Sequence, residues 1–153
     1  MTYFLDEVFP NFRDDLHKGT MIFVPSYFDY VRLRNHFRRE RIDFAQICEY
    51  TTRANVTRAR TYMFKGERPY LMYTERFHYH SRIKVRKIRH IIFYGLPFYP
   101  DFYSELSNAL DREGDVSVTV IFSKFEAFQL EQILGTTRAR RLLSADKSVH
   151  MFT

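Results

Sequence analysis

The chain has 153 residues, of which 45% are hydrophobic and 27% charged, a balance that suits one globular domain and excludes a disordered composition. Its formal net charge is +6, from 24 lysines and arginines against 18 acidic residues, which favours an anionic partner such as RNA. A single cysteine, Cys48, excludes an intrachain disulfide, and no apolar stretch approaches the ~20 residues that span a bilayer. We therefore expect a reducing, intracellular compartment and no membrane partner.

Hydrophobic periodicity predicts strands that mostly alternate with helices. In chain order, the predicted strands cover residues 20–25, 43–48, 70–74, 90–94 and 116–122, the last being the strongest of the strand predictions. The predicted helices cover residues 26–39, 55–65, 100–110 and 124–134. Ser26 is the expected N-cap of the first helix, and Gly66 is expected to close the second. A polar loop is expected over residues 74–82.

This alternation predicts an α/β fold in three layers, with a mostly parallel sheet and helices on both faces. Ligands of such sheets bind at the loops that follow the carboxyl ends of the strands. We expect a leading helix over residues 1–18, the α/β domain over 19–135, and a basic C-terminal tail over 136–153, which contains Arg138, Arg140 and Arg141.

Three motifs resemble the second RecA-like lobe of superfamily-two RNA helicases, in the same order. M-I-F-V-P-S at 21–26, followed by a helix, is similar to the strand and helix that open that lobe. F-K-G at 64–66 and T-E at 74–75 are similar to the helicase sequence F-K-x-G … T-D. I-R-H-I-I-F-Y-G-L-P at 88–97 resembles the strand V-x-x-V-I-x-Y-D-x-P that follows. The resemblance implies a RecA-like fold.

Longer strings resemble one family more closely. They are P-S-Y-F-D-Y-V-R-L-R-N at 25–35, C-E-Y-T at 48–51, T-E-R-F-H at 74–78, R-H-I-I-F-Y-G-L-P at 89–97, L-G-T-T-R-A-R-R at 134–141 and S-V-H-M-F at 148–152. They resemble the digestive organ expansion factor family, helicase-like small nucleolar RNA-associated proteins of the small-subunit processome. The resemblance implies a role in the nucleolus, within the nucleus, in maturing small-subunit ribosomal RNA. It implies pre-ribosomal or small nucleolar RNA and other processome proteins as partners.

Members of that family carry a first RecA-like lobe before this one. The chain is therefore expected to be either a C-terminal fragment or a protein that lacks the first lobe. In the first case, that lobe is a further partner.

The residues that hydrolyse ATP in helicases are missing from the sequence. No G-x-x-x-x-G-K-[ST] loop occurs among its five glycines. The H-R-x-G-R-x-x-R run that helicases carry after the "Y-D-x-P" strand is replaced by residues 102–111, which contain neither arginine nor glycine. Glu75 stands where helicases have Asp. We therefore expect no catalytic residues and no cofactor.

The candidate RNA contacts are polar residues in or beside the loops at the carboxyl ends of strands, where RNA crosses this fold in helicases. They are Ser26, Arg53, Thr74, Arg76, Arg82, Lys84 and Arg86. Arginines between residues 32 and 41, and those of the basic tail, either contact RNA or form a solvated surface.

Aromatic residues make up 18% of the chain, and their rings either fill the core or stack on bases or on another protein. We predict protein docking at Phe98, Tyr99 and Phe102, at least one of which should expose its ring. The cluster of Tyr27, Phe28 and Tyr30 either stacks on bases or packs in the core, and its helical spacing favours packing.

Two further features favour structural roles. His78 and His80 lie two residues apart, as a metal pair would in an extended segment, but no clustered third ligand supports a metal site. Cys48 lacks a neighbouring base and is expected to be a buried thiol.

The leading functional hypothesis is a non-catalytic, helicase-like domain that binds RNA and protein in small-subunit ribosome biogenesis and pre-rRNA processing. The alternatives are the C-terminal lobe of an active ATP-dependent RNA helicase and a protein scaffold without direct RNA contact.

Overall fold

The computed structural model describes residues 1–144, and its strands form one parallel five-stranded sheet. The strands are β1 (Thr20–Val24), β2 (Phe44–Ile47), β3 (Tyr70–Thr74), β4 (His90–Phe93) and β5 (Ser117–Val120). The helices are α1 (Tyr27–Arg39), α2 (Arg53–Lys65), α3 (Glu75–Ser81), α4 (Pro100–Asn108), α5 (Ala127–Leu134) and α6 (Thr136–Ser144). The sheet order is β2-β3-β1-β4-β5, and every pairing is parallel. The predicted parallel sheet, with helices between its strands, is confirmed.

Capping side chains and a glycine fix several helix ends where the sequence predicted them. The backbone N–H of Asp29 donates to the Ser26 hydroxyl at 3.4 Å, so Ser26 is the N-cap of α1. Gly66 closes α2 in the left-handed conformation, with φ of +71°. Pro100 lies in the first turn of α4, where its missing N–H costs nothing.

The core has two halves, one on each face of the sheet. Successive residues of a strand point to opposite faces, so Phe23 of β1 packs on one side and Ile22 on the other. The side of Phe23 is covered by α2, α3 and α4, and the side of Ile22 is covered by α1 and the N-terminal segment. Right-handed crossovers in this strand order place the helices in this way.

The N-terminal residues differ from the predicted leading helix over 1–18. They form a π-helical turn, Phe4–Val8, and two 3-10 turns, Phe9–Phe12 and Asp15–His17. Pro10 lacks the N–H that a continuous helix would use. Four apolar side chains of the segment are buried against the sheet, and Tyr70 donates a hydrogen bond to the Phe12 carbonyl at 2.7 Å. The segment is part of the domain core.

Two other segments also differ from the predictions. The expected loop over 74–82 contains α3, because Thr74 caps a helix that begins at once. The described part of the predicted tail, 136–144, is α6, which buries Ala139 and Leu142 against Leu96 and Leu130. The domain therefore extends past residue 135. Residues 145–153, including the string at 148–152, lie outside the described residues.

Candidate nucleic-acid and protein interface

The carboxyl ends of all five strands meet at one edge of the sheet, because the strands are parallel. This edge brings together several predicted RNA contacts that are far apart in sequence. Ser26 follows β1, Arg53 begins α2 after β2, and Arg76 lies in the first turn of α3 after β3. The paired residues Val24 and Thr74 show that β1 and β3 end level with each other. All three candidate side chains are exposed.

Thr74 lies at this edge but is not an accessible contact. Its side chain is 1% exposed, and its hydroxyl accepts a hydrogen bond from the backbone N–H of Phe77 at 3.3 Å. The hydroxyl caps α3, an element that the sequence prediction missed because the segment looked like a polar loop. The predicted role of Thr74 in direct RNA contact is therefore corrected to that of a buried helix cap.

One basic patch at the carboxyl edge was expected from Arg82, Lys84 and Arg86. The structure does not bring these three residues together there. Arg82 ends α3, and its guanidinium lies 5.2 Å from the Phe102 ring centre. The chain then runs back across the sheet face, where the Lys84 carbonyl accepts a hydrogen bond from Arg60. By residue 87 it has reached Gly19, just before the start of β1. Arg86 therefore lies toward the opposite edge of the sheet, near the start of β1.

A buried carboxylate organises the loop that follows β4. Glu75 is 4% exposed and accepts hydrogen bonds from the backbone N–H of Phe98 at 2.8 Å and from that of Tyr99 at 3.2 Å. Burial raises the pKa of Glu75, and the two N–H donors oppose that increase. The acid that replaces the helicase Asp thus ties α3 to the segment leading into α4.

Above Glu75, the same segment exposes aromatic rings to solvent. Phe98 is 70% exposed and Tyr99 is 40% exposed, so the prediction of at least one exposed ring is confirmed. Tyr99 stacks on Tyr79 of α3, with ring centres 5.0 Å apart. We call Tyr79, Phe98 and Tyr99 the aromatic platform. Phe102 is only 1% exposed and packs on His78, so it belongs to the core and not to the predicted docking surface.

The two histidines of α3 have different environments. His78 is 2% exposed; its Nδ1 lies 2.8 Å from the Tyr73 hydroxyl and its Nε2 lies 3.5 Å from a Glu105 carboxylate oxygen. Burial lowers the pKa of His78, which the Glu105 charge opposes. His80 is exposed, because residues two apart on a helix point in different directions. Within residues 1–144, no group of three or more metal-ligating side chains is arranged to hold an ion.

The cluster after β1 is divided between core and surface. Tyr30 is 1% exposed, which agrees with the packing role that its spacing favoured, whereas Phe28 is 70% exposed. Tyr27 is partly exposed and contacts Tyr50, with ring centres 5.2 Å apart. Cys48 is buried beneath them, as expected, and accepts a hydrogen bond from the Thr51 hydroxyl at 3.5 Å.

Sequence reasoning missed exposed rings at both ends of the carboxyl edge. Tyr50, after β2, is 75% exposed, while Phe125 and Phe128, after β5, are 98% and 67% exposed. Their position after predicted strands was an available signal. Side-chain exposure, however, depends on packing that the pattern does not contain.

A basic surface accompanies these rings. The arginines of α1 beyond its buried stripe are exposed or half-buried, and those of α6 are exposed. Arg32 lies over the Phe28 ring at 5.7 Å. No helix within residues 1–144 is both long and apolar enough to cross a membrane.

Comparison with protein families and curated relatives gives one consistent family. The family model described as "Utp25, C-terminal domain" matches residues 1–152. The U3 small nucleolar RNA-associated protein 25 homologs of Xenopus tropicalis and Homo sapiens are 45% and 43% identical to the chain, over 98% of its length. The protein NUCLEOLAR FACTOR 1 of Arabidopsis thaliana is 38% identical over 99% of it. The chain spans about a fifth of the length of these relatives, 20% in each case.

Solved structures confirm the predicted fold as a RecA-like second lobe. The C-terminal domain of the DEAD-box protein Dbp5 superimposes with a TM-score of 0.68 at 14% identity, covering 94% of this chain and 80% of that one. The Escherichia coli DEAD-box protein SrmB gives a TM-score of 0.64 at 14% identity, covering 81% and 72%. At this identity the likeness concerns the fold alone. The resemblance to helicase-like, small nucleolar RNA-associated proteins is confirmed, whereas the narrower digestive organ expansion factor resemblance stays a prediction.

Proposed function

Because the chain belongs to the Utp25 C-terminal domain family, we propose that it is a non-catalytic, helicase-like domain that binds RNA and protein in small-subunit ribosome biogenesis. Its relatives are named as U3 small nucleolar RNA-associated proteins and as a nucleolar factor, which supports a nucleolar role in pre-rRNA processing. The proposed partners are pre-ribosomal or small nucleolar RNA, other small-subunit processome proteins, and a first RecA-like lobe where the parent protein has one.

One observation carries the proposal: the aromatic platform stands beside exposed arginine at the carboxyl edge of the sheet. Tyr79 and Tyr99 present stacked, partly exposed rings, and Arg76 lies on the same helix as Tyr79. Exposed rings stack on bases and arginines pair with phosphates, so the combination suits single-stranded RNA. Exposed rings are also favoured anchors for a protein partner.

The absence of catalysis is proposed from the sequence around α4. A second helicase lobe supplies arginines that stabilise the charge developing on the transferred phosphate. The corresponding residues 102–111 contain no arginine, and Glu105 instead directs its carboxylate at His78. Glu75, in place of the helicase Asp, is occupied by backbone N–H groups. These residues have structural tasks in this domain.

Two charge-matched double variants test whether RNA binds at the carboxyl edge. Arg53→Glu with Arg76→Glu reverses two charges at the carboxyl edge. Lys84→Glu with Arg86→Glu makes the same change in net charge at residues away from that edge. We expect the edge variant to weaken binding of single-stranded RNA more strongly. It should also flatten the dependence of log affinity on log salt by about 0.7 for each lost phosphate contact.

Fluorescence anisotropy with labelled oligouridylate at several salt concentrations measures both effects. Equal losses in the two variants would show that only overall charge matters. An affinity too weak to measure at low salt would favour the protein scaffold without RNA contact. Both results would contradict the proposed RNA-binding role.

A further inference from the structure

The strand β2 forms one edge of the sheet, where its outer backbone groups lack a strand neighbour within the described chain. Open edges of this kind can pair with a strand from another polypeptide. β2 is long enough for four residues of such pairing, about 13 Å.

Two adjoining cavities follow the outer side of β2. One has a volume of about 470 Å³ and lies toward the carboxyl end, between α1 and α2. The other, of about 350 Å³, lies toward the amino end. Both are lined by Phe44, Gln46 and Arg68, so they form one continuous groove. We call it the β2 groove.

The β2 groove is strongly basic. Five arginines line it, namely Arg34, Arg38, Arg41, Arg58 and Arg68. Asp43 is its one acidic lining residue, and it is paired with Arg68 at 3.5 Å. The Nε atom of Arg34 is buried without a hydrogen-bond partner within the described residues. Carboxylates of an incoming segment would pair with the exposed guanidinium groups of Arg38, Arg41 and Arg58.

The arginines stand on both sides of the open strand. Arg34 and Arg38 project from α1, which covers one face of the sheet, and Arg58 projects from α2, which covers the other. Alternate side chains of an added strand point to opposite faces. Acidic side chains at either set of positions would therefore meet an arginine. Half-buried Phe44 and Tyr62 provide apolar contact between the charges.

From this geometry we propose that the β2 groove binds an extended acidic polypeptide segment of a partner protein, which adds to β2 as a sixth strand. A second copy of this chain does not fit, because two β2 grooves would bring like charges together. RNA fits the groove less well than a polypeptide does, because RNA lacks the alternating N–H and C=O groups that pair with the edge of a strand. The surface is distinct from the aromatic platform, and the inference does not depend on RNA binding.

Selection from a random peptide library displayed on phage, against the 153-residue chain, tests the proposal. We expect the selected peptides to alternate acidic residues with β-branched or aromatic ones. A synthetic peptide from that set should slow hydrogen exchange at the alternate backbone amides of Phe44–Ile47 that point away from β3, because only these N–H groups gain a partner. A set without acidic enrichment, or unchanged exchange at β2, would overturn the proposal.

Matched variants then distinguish the groove from overall charge. Arg38→Glu with Arg58→Glu changes exposed arginines on both sides of the groove, whereas Arg86→Glu with Arg112→Glu makes the same charge change at exposed residues outside it. The groove variant should weaken peptide binding at least about tenfold, and the control less than about twofold. Equal losses, or loss of oligouridylate binding with unchanged peptide binding, would contradict a peptide site.

Discussion

Glu75 and Phe98, 23 residues apart, are joined by a buried contact in which both carboxylate oxygens of Glu75 lie 2.8 Å from the Phe98 backbone nitrogen. The contact holds the turn before α4 against the start of α3. It also leaves Phe98 70% exposed to solvent. The residue that departs from the helicase T-D motif therefore has a definite structural role, and it connects to the proposed binding surface.

Removing this carboxylate should destabilise the domain. Glu75→Ala leaves the backbone N–H groups of Phe98 and Tyr99 without their acceptor in a partly buried place. We expect the free energy of unfolding to fall by about 1–3 kcal/mol, the usual cost of an unsatisfied buried donor. Urea denaturation measures it. Glu67→Ala, at an exposed position, is the control and should change stability by no more than about 0.5 kcal/mol. A similar small effect at Glu75 would show that the contact contributes little.

The stability that Glu75 provides should depend on pH. Burial raises its pKa in the folded state above the ordinary value of 4.5, so the folded protein favours the protonated acid. The resulting stabilisation is fully present below pH 4.5 and is lost as pH rises through the raised folded pKa. We therefore expect the stability of the natural protein, relative to Glu75→Gln, to fall over that range. Urea denaturation from pH 4 upwards measures the difference, and an increase with pH would show that the N–H donors outweigh burial.

Truncating Phe102 should destabilise the domain strongly, whereas truncating Phe98 should leave its stability almost unchanged. Phe102→Ala removes a ring that is 1% exposed, and we expect it to cost about 3–5 kcal/mol of folding stability. Phe98→Ala removes a ring that is 70% exposed and should change stability by no more than about 0.5 kcal/mol. Thermal and urea denaturation compare the two variants. A large loss of stability in Phe98→Ala would place that ring in the core and remove it from the docking surface.

Neither the chain nor a longer protein containing it should show RNA-stimulated ATP hydrolysis. The reason is the missing arginine run in residues 102–111. Phosphate release with saturating ATP and oligouridylate measures this, with an active two-lobed DEAD-box helicase as the positive control. ATP turnover of about 1 per second, the low end for typical enzymes, together with loss of that turnover in the Arg76→Glu variant, would contradict the proposal. The active-helicase alternative would then be favoured.

The sequence by itself determined the order and type of most elements. A continuous apolar strand such as residues 70–74 is removed from water only when helices cover both faces of the sheet. A helix cap such as Ser26 bonds to a backbone N–H only three residues away. The missing ATP motifs and the family resemblance are likewise properties of the linear sequence. These features depend on residues close together in the sequence, so they could be predicted without the tertiary structure.

Only the tertiary structure decided which side chains reach solvent and which basic residues are neighbours. Phe98 and Phe102 are four residues apart with the same chemistry, yet one is exposed because Glu75 fixes the turn and the other packs on His78. Arg82 and Arg86 look like one patch in sequence, but the chain between them crosses the sheet face. Exposure and proximity depend on contacts between distant segments, such as the 23-residue separation of Glu75 and Phe98, and no local pattern contains them.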